Sequence, residues 1–193
     1  AVDCEYQTFF LDVGSEGDDD PSNNAYIGAG GGFSGTINEN EITYRTLSQG
    51  NSLYFYINTI SLQLAENGVP YKDAILEVGY KDVIDETNCN NYNTRMSYCR
   101  PYIGINLSYG NLGWHSLEGF GGIKDNLWKN ETIFIENNYW QVLRSIGGNF
   151  NFRIYYPNQL NGETPLPIDY IKLTFYNNSE FNRLRELDRI NRT

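Results

Sequence analysis

Histidine is almost missing: His115 stands alone in 193 residues. A zinc centre built on imidazoles needs several, so none is expected. Basic residues are scarce as well. Fourteen Lys and Arg face 24 Asp and Glu, a net charge of −10. Phosphate binding requires a basic face, so no nucleic-acid partner is expected. The same imbalance disfavours an anionic membrane surface. No apolar run approaches the ~20 residues of a bilayer-spanning helix, so no membrane insertion is expected. The short motifs of common enzymes are absent too: no Gly-x-Ser-x-Gly elbow, and no Walker or dinucleotide fingerprint. The glycine run from Gly30 to Gly35 has no Lys-Ser or Lys-Thr after it. Carboxylate pairs for glycoside hydrolysis would sit roughly 5–9.5 Å apart, and so many acids always supply some such pair. The chain therefore reads as a non-enzyme, with no catalytic residue nominated.

Aromatics are what the chain has in quantity. They make up 15% of it, with 16 Tyr and 10 Phe, within 40% hydrophobic residues. That is too apolar for a disordered chain, and the length suits one domain with a sizeable core. The three cysteines are an odd set. Cys89 and Cys99 bracket a polar loop and are expected to close it as a disulfide. Cys4 is left over for a free thiol or a bond outside the chain. Three reduced thiols in a cytosolic protein is the competing reading. Four acceptor sequons begin at Asn106, Asn130, Asn177 and Asn191, and together with the composition they favour a secreted or cell-surface glycoprotein. The opening Ala-Val-Asp-Cys fits what signal removal leaves behind.

Period-2 alternation predicts the strands. Residues 6–13 and 42–47 read as strands. In 52–64, Leu53, Phe55 and Ile57 alternate with Tyr54, Tyr56 and Asn58. Residues 74–80 and 102–109 follow, the latter with Asn106 on the parity opposite its apolar residues, open to a glycan. Residues 131–135 are a strand, and 139–146 a strand or short helix. In 149–156, Phe150, Phe152, Ile154 and Tyr156 oppose Asn151, Arg153 and Tyr155. Residues 168–176 close the set, with Asp169 amid apolar neighbours. Residues 26–35 read as loop or tight bends for their glycines, Asn67-Gly68 as a turn, and 110–122 as loop. Eight or nine strands between Gly, Asn and Pro loops fit an all-β antiparallel β-sandwich of the jelly-roll kind. Its span is 1–177. Residues 178–193 then form a short amphipathic C-terminal helix, with Phe181, Leu184, Leu187 and Ile190 three apart. That helix either packs on the sandwich or begins a linker or stalk.

The stretch from Trp128 to Phe175 resembles the end of a galactose-binding-like jelly roll, as found in carbohydrate-binding modules and accessory domains of polysaccharide lyases and glycosidases. The likeness lies in a strand like 131–135, a segment like 139–146, a turn like 147–149 and an apolar strand like 150–156. The closing Asp169-Tyr170-Ile171 and the polar strand around Asn106 complete it. The resemblance implies a sandwich that binds carbohydrate and holds a structural calcium. The cysteine-clipped loop and the acidic loop near Asp18 are not parts of the usual pattern.

Two loops are the candidate sites. Glu16, Asp18, Asp19, Asp20 and Asn23 offer hard oxygen ligands of the kind calcium takes six to eight of, or they form a solvated acidic loop. Trp114, His115 and Asn111 lie among glycines. A tryptophan there either stacks on the apolar face of a sugar ring, with amides bonding its hydroxyls, or plugs the end of the core. Trp128 and Trp140 are weaker candidates, and the tyrosines read as structural. The expected role is carbohydrate binding with calcium a possible cofactor. The alternative is an extracellular structural or protein-interaction domain joined through Cys4 or the C-terminal helix.

Overall fold

The side-chain alternation of strand Ser52–Ile57 sets the plan of the molecule. Leu53, Phe55 and Ile57 are all but inaccessible, whereas Tyr54 and Tyr56 are half-buried. A strand with one apolar and one aromatic-polar face belongs in a sheet that buries a single side. The structure, a computed structural model, describes residues 5–14, 25–29, 33–57, 71–88, 99–107, 113–136, 151–158 and 164–192. In chain order the described elements are β1 (Glu5–Leu11), β2 (Ala25–Ala29), β3 (Ile37–Glu39), β4 (Ile42–Leu47), β5 (Ser52–Ile57) and β6 (Tyr71–Lys81). Then come β7 (Tyr102–Leu107), β8 (Gly113–Gly119), β9 (Trp128–Ile135), β10 (Phe152–Tyr155), β11 (Leu166–Asn177) and the helix α1 (Asn178–Asn191).

All the strand pairs are antiparallel. They form a six-stranded sheet in the order β3-β4-β11-β6-β9, with β1 also on β11, and a five-stranded sheet in the order β2-β5-β10-β7-β8. The fold is an all-β sandwich with a short helix at its C-terminal end. Its core takes alternate residues from both sheets: Leu76, Val78, Ile171 and Leu173 from one, and Phe55, Ile103, Ile105 and Phe152 from the other. The rings of Phe55 and Phe152 stack 5.1 Å apart on neighbouring strands. Each such fully buried side chain contributes about 1.5–3 kcal/mol relative to exposure.

Strand β11 is the spine. One of its edges pairs with β6 over nearly its full length. The other serves two strands end to end, β4 on Leu166–Ile168 and β1 from Ile171 onward. The register slips between Ile168 and Tyr170, so Asp169 falls in the bulge at that junction. Its carbonyl accepts from the Gly14 amide at 3.1 Å. Burial raises the pKa of its half-buried carboxyl, and Asp12 adds to the rise. The acid inside an apolar strand thus marks an irregularity in that strand. On the outer side, the Tyr170 ring lies where a Cβ on Gly79 would stand, 2.3 Å from its Cε1. There Tyr170 donates to Glu77 at 2.7 Å and stacks on Phe10.

A buried charge fastens one end of the sandwich. Asp82 accepts from the amides of Ile84, Gly122 and Ile123 and from the Lys129 ammonium at 3.0 Å. Burial opposes the Lys129 charge, yet its bonds to Asp125 and Asp82 prevail and hold its pKa up at about 12.

Two of the expected loops are strands. Residues 25–29 pair with β5 despite the glycine that follows Ile27, and residues 113–119 pair with β7. In both cases the ladder with a neighbouring strand outweighs local glycine content. The expected turn at Asn67-Gly68 and the segment 139–146 lie outside the described residues.

The helix packs against the outer face of the six-stranded sheet. Asn177 caps it, its Oδ1 accepting from the Glu180 amide at 2.7 Å. Phe181 is fully buried, edge-on to Phe134 at 5.6 Å. Arg185 reaches Glu136 at 3.0 Å and Arg192 reaches Glu131 at 2.8 Å. A strict three-residue spacing drifts about 60° per step around a 3.6-residue helix. Phe181 therefore meets the sheet while Leu187 and Ile190 are 44% and 51% exposed. Between helix and sheet lies a cavity of about 350 Å³, with Glu77 and Lys172 on the sheet and Leu184, Leu187 and Asp188 on the helix. No helix among the described residues is long and apolar enough to cross a membrane.

Candidate functional site

The five-stranded sheet turns its second face outward, and that face is aromatic. Its positions follow from register. Tyr26 lies opposite Tyr56, and their rings stack at 4.9 Å. The next row across the strands runs Gly28, Tyr54, Arg153, Gly104, Ser116. Asn106 faces Trp114 between the last two strands. Tyr155 faces Tyr102, with ring centres 5.4 Å apart. Every one of the five strands thus gives at least one aromatic ring to the same side.

The rings lie down on the sheet. Tyr54 and Trp114 come from strands with two others between them, yet their centres are 5.8 Å apart. Gly104 makes this possible. A Cβ there would sit 3.3 Å from Arg153 Cγ and 3.5 Å from Trp114 Cε3, so the missing side chain is the floor on which both rest. The Arg153 guanidinium lies 4.6 Å from the Trp114 ring centre and 5.3 Å from that of Tyr155. Tyr26, Tyr54, Tyr56, Trp114, Arg153 and Tyr155 are all half-buried, so each keeps an open surface. Tyr102 and Asn106 are packed beneath, at 7% and 6% exposed. Strand spacing makes the face about 19 Å from β2 to β8, which spans more than one sugar ring.

Asn151 braces this arrangement. Fully buried, its side chain exchanges both hydrogen bonds with the backbone of Ile57, at 3.1 and 3.3 Å. Its carbonyl accepts from Asn106 N at 2.8 Å. The side-chain amide mimics a peptide unit and extends the β5–β10 ladder beyond the end of β10.

Trp114 is therefore on the edge strand β8, not in a loop. His115, the next residue, has Ile105 as its partner and points to the other side. The two do not share a site. Asn111 lies outside the described residues, as do Glu16, Asp18, Asp19, Asp20 and Asn23. No cluster of three or more metal-ligating side chains occurs among the described residues. Cys99 is buried and disulfide-bonded, with Cys89 and Cys4 both outside the described residues. Of the sequon residues, Asn130 and Asn191 are exposed and Asn177 is the helix cap. Asn106 is on the outward parity, as its sequence position predicts. Its side chain is buried all the same, opposite Trp114 in the register. Trp128 packs edge-on against Tyr44 at 5.2 Å, and Trp140 lies outside the described residues.

The tyrosines of this face were legible as residues but not as a site. Tyr54, Tyr56, Tyr102 and Tyr155 each occupy the non-core parity of an alternating strand. Aromatics on the outward parity of several strands are the signal that would have found them.

No protein-family model matches the chain, and no curated protein does. Among solved structures it is similar to "CBM29_1, A Family 29 Carbohydrate Binding Module from Piromyces equi", at 9% identity and a TM-score of 0.40, covering 88% of this chain and 91% of that one. A likeness that slight carries no argument.

Proposed function

We propose that this chain is a carbohydrate-binding module, secreted or at a cell surface, that lays a glycan across the outer face of its five-stranded sheet. One observation carries the reading: all five strands deliver aromatic rings to one face, from Tyr26 at one edge to Trp114 at the other. A broad, partly open aromatic surface marks a binding site. Flat rings suit the C–H faces of sugars, while Arg153 and the tyrosine hydroxyls can bond sugar hydroxyls. Calcium belongs to the proposal only through Glu16, Asp18, Asp19, Asp20 and Asn23, and a chelator titration of folding and binding tests it.

The test is a panel of soluble polysaccharides measured by calorimetry and affinity electrophoresis. Trp114→Ala and Tyr56→Ala, shown folded by circular dichroism, should each lose about 2 kcal/mol of binding or more, as buried aromatic anchors do. If no glycan binds the folded protein, or binding ignores both substitutions, the reading fails.

A second reading, a protein-interaction domain joined through its helix, is favoured by the exposure of Leu187 and Ile190. Light scattering on wild type and Leu187→Glu would test it, since self-association lost in the variant would support it.

A further inference from the structure

We propose that the glycan is acidic, and that its carboxylate or sulfate is bound by Arg153. This rests on the reading of the aromatic face as the glycan site. The first argument is ionic pairing. Among the described residues Arg100, Arg183, Arg185, Arg189 and Arg192 each pair with a carboxylate, and Arg45 donates to the Ser34 carbonyl. Arg153 differs. Its contacts are with two aromatic rings. Its buried Nε has no hydrogen-bond partner, as in Arg100 and Arg185, but those two still reach a carboxylate. In a chain with 24 acidic residues against 14 basic ones, an arginine without a carboxylate is unexpected.

The second argument is geometric. Ring stacking engages the flat face of a guanidinium and leaves its N–H donors at the rim. Those donors form a planar fork that matches a carboxylate or sulfate. Trp114 and Tyr155 therefore hold the group without using up its hydrogen bonds.

The third argument is what surrounds it. The row through Arg153 holds Gly28, Tyr54, Gly104 and Ser116, and no carboxylate occurs among the described residues of this face. Glu118, the acid of β8, lies beyond the register shift from Ser116, and the charges that act on its carboxyl are those of Glu131, Arg192, Arg100 and Asp188, with Arg153 not among them. A like charge beside the ligand would repel an anion, and the described residues of this face carry none. The net charge of −10 acts from further away, and salt screens it beyond about 8 Å at physiological ionic strength.

The experiment compares polygalacturonate, the same polymer with its carboxyls reduced to alcohols, and dextran sulfate beside neutral dextran. Wild type, Arg153→Gln, Arg153→Lys and Trp114→Ala are each titrated after a check of folding. Wild type should prefer at least one charged polymer over its neutral counterpart by about tenfold or more. Arg153→Gln should erase that preference, weakening the charged polymer about tenfold more than its neutral counterpart, and Arg153→Lys should keep part of it. Preference within the first pair identifies a carboxylate, and preference within the second a sulfate. Equal affinity within both pairs, or an Arg153→Gln loss that is the same for charged and neutral polymers, overturns the inference and leaves the aromatic site standing. No binding by any polymer, or binding that ignores Trp114→Ala, overturns the site itself and the inference with it.

Discussion

Arg153 rests its guanidinium 4.6 Å from the centre of the Trp114 ring, on the space that Gly104 leaves free. The pair is held from below by an absence, so filling that absence should disturb it. A Cβ at position 104 would touch Arg153 Cγ at 3.3 Å, which a long side chain can yield to. Gly104→Ala should therefore bind nearly as wild type. Gly104→Val adds two methyl groups on the outer side and must lift the Trp114 ring or turn Arg153. We expect a loss of about tenfold in glycan affinity, or ~1.4 kcal/mol, with the far-ultraviolet circular dichroism unchanged. Calorimetry on the two variants checks it, and a Gly104→Val protein that binds normally would show that the floor is not needed.

The sandwich was legible because its strands alternate. Leu53, Phe55 and Ile57 announce an inner face, and Phe152 and Ile154 do the same on β10. What failed was inference from glycine. Gly28 and the glycines around Trp114 read as loop, yet both segments are edge strands held by a neighbour's ladder. Composition describes the local chain, whereas an edge strand is made by its partner. The same limit hid the aromatic face. Tyr54 is plain in the sequence as an outward residue, but its approach to Trp114 depends on strand order, which alternation does not encode. The burial of Asn106 follows from the same cause.

Asp82 and Lys129 should be costly to separate. The carboxylate is fully buried and takes three backbone amides besides the ammonium. Lys129→Met would leave that charge inside the protein without its counterion. Breaking a buried pair costs about 3–5 kcal/mol, and the partial exposure of Lys129 places this one near the lower end. Urea unfolding should show the midpoint falling with little change in slope. A loss under 1 kcal/mol would mean that the amides of Gly122 and Ile123 suffice.

Asp169 gives a pH signature of the opposite sign to most carboxylates. Burial, then Asp12, raises its pKa in the folded chain above the ordinary 3.8. Between those two values the folded state holds more protons than the unfolded one, so stability falls as pH rises through that window. Asp169→Asn removes the charge and the penalty together. The variant should be more stable than wild type at pH 7, and its advantage should vanish as pH drops below about 3.8. Thermal melts across that range test this. A variant less stable than wild type at neutral pH would show that the charged carboxylate is bonded in the bulge.

The helix should hang on Phe181. Its ring is fully buried against Phe134, and the Arg185 guanidinium covers it 4.4 Å from the ring centre. Phe181→Ala removes the one helix side chain wholly buried among the described residues, and such truncations cost about 3–5 kcal/mol when the rest of the site cannot collapse. The remaining ties include the ion pairs of Arg185 and Arg192, which stand at the surface and are each worth at most about 1 kcal/mol, and the bond from the Asn178 side-chain amide to the buried Asp73 at 3.2 Å. Backbone amides of 178–192 should then exchange with solvent much faster, while those of β6 and β11 keep their protection. Ile190→Ala is the control. That side chain is 51% exposed, so its removal should change stability by no more than about 0.5 kcal/mol. If Ile190→Ala loosened the helix as much as Phe181→Ala, the exposed side of the helix would be covered in solution, as the protein-interaction reading requires.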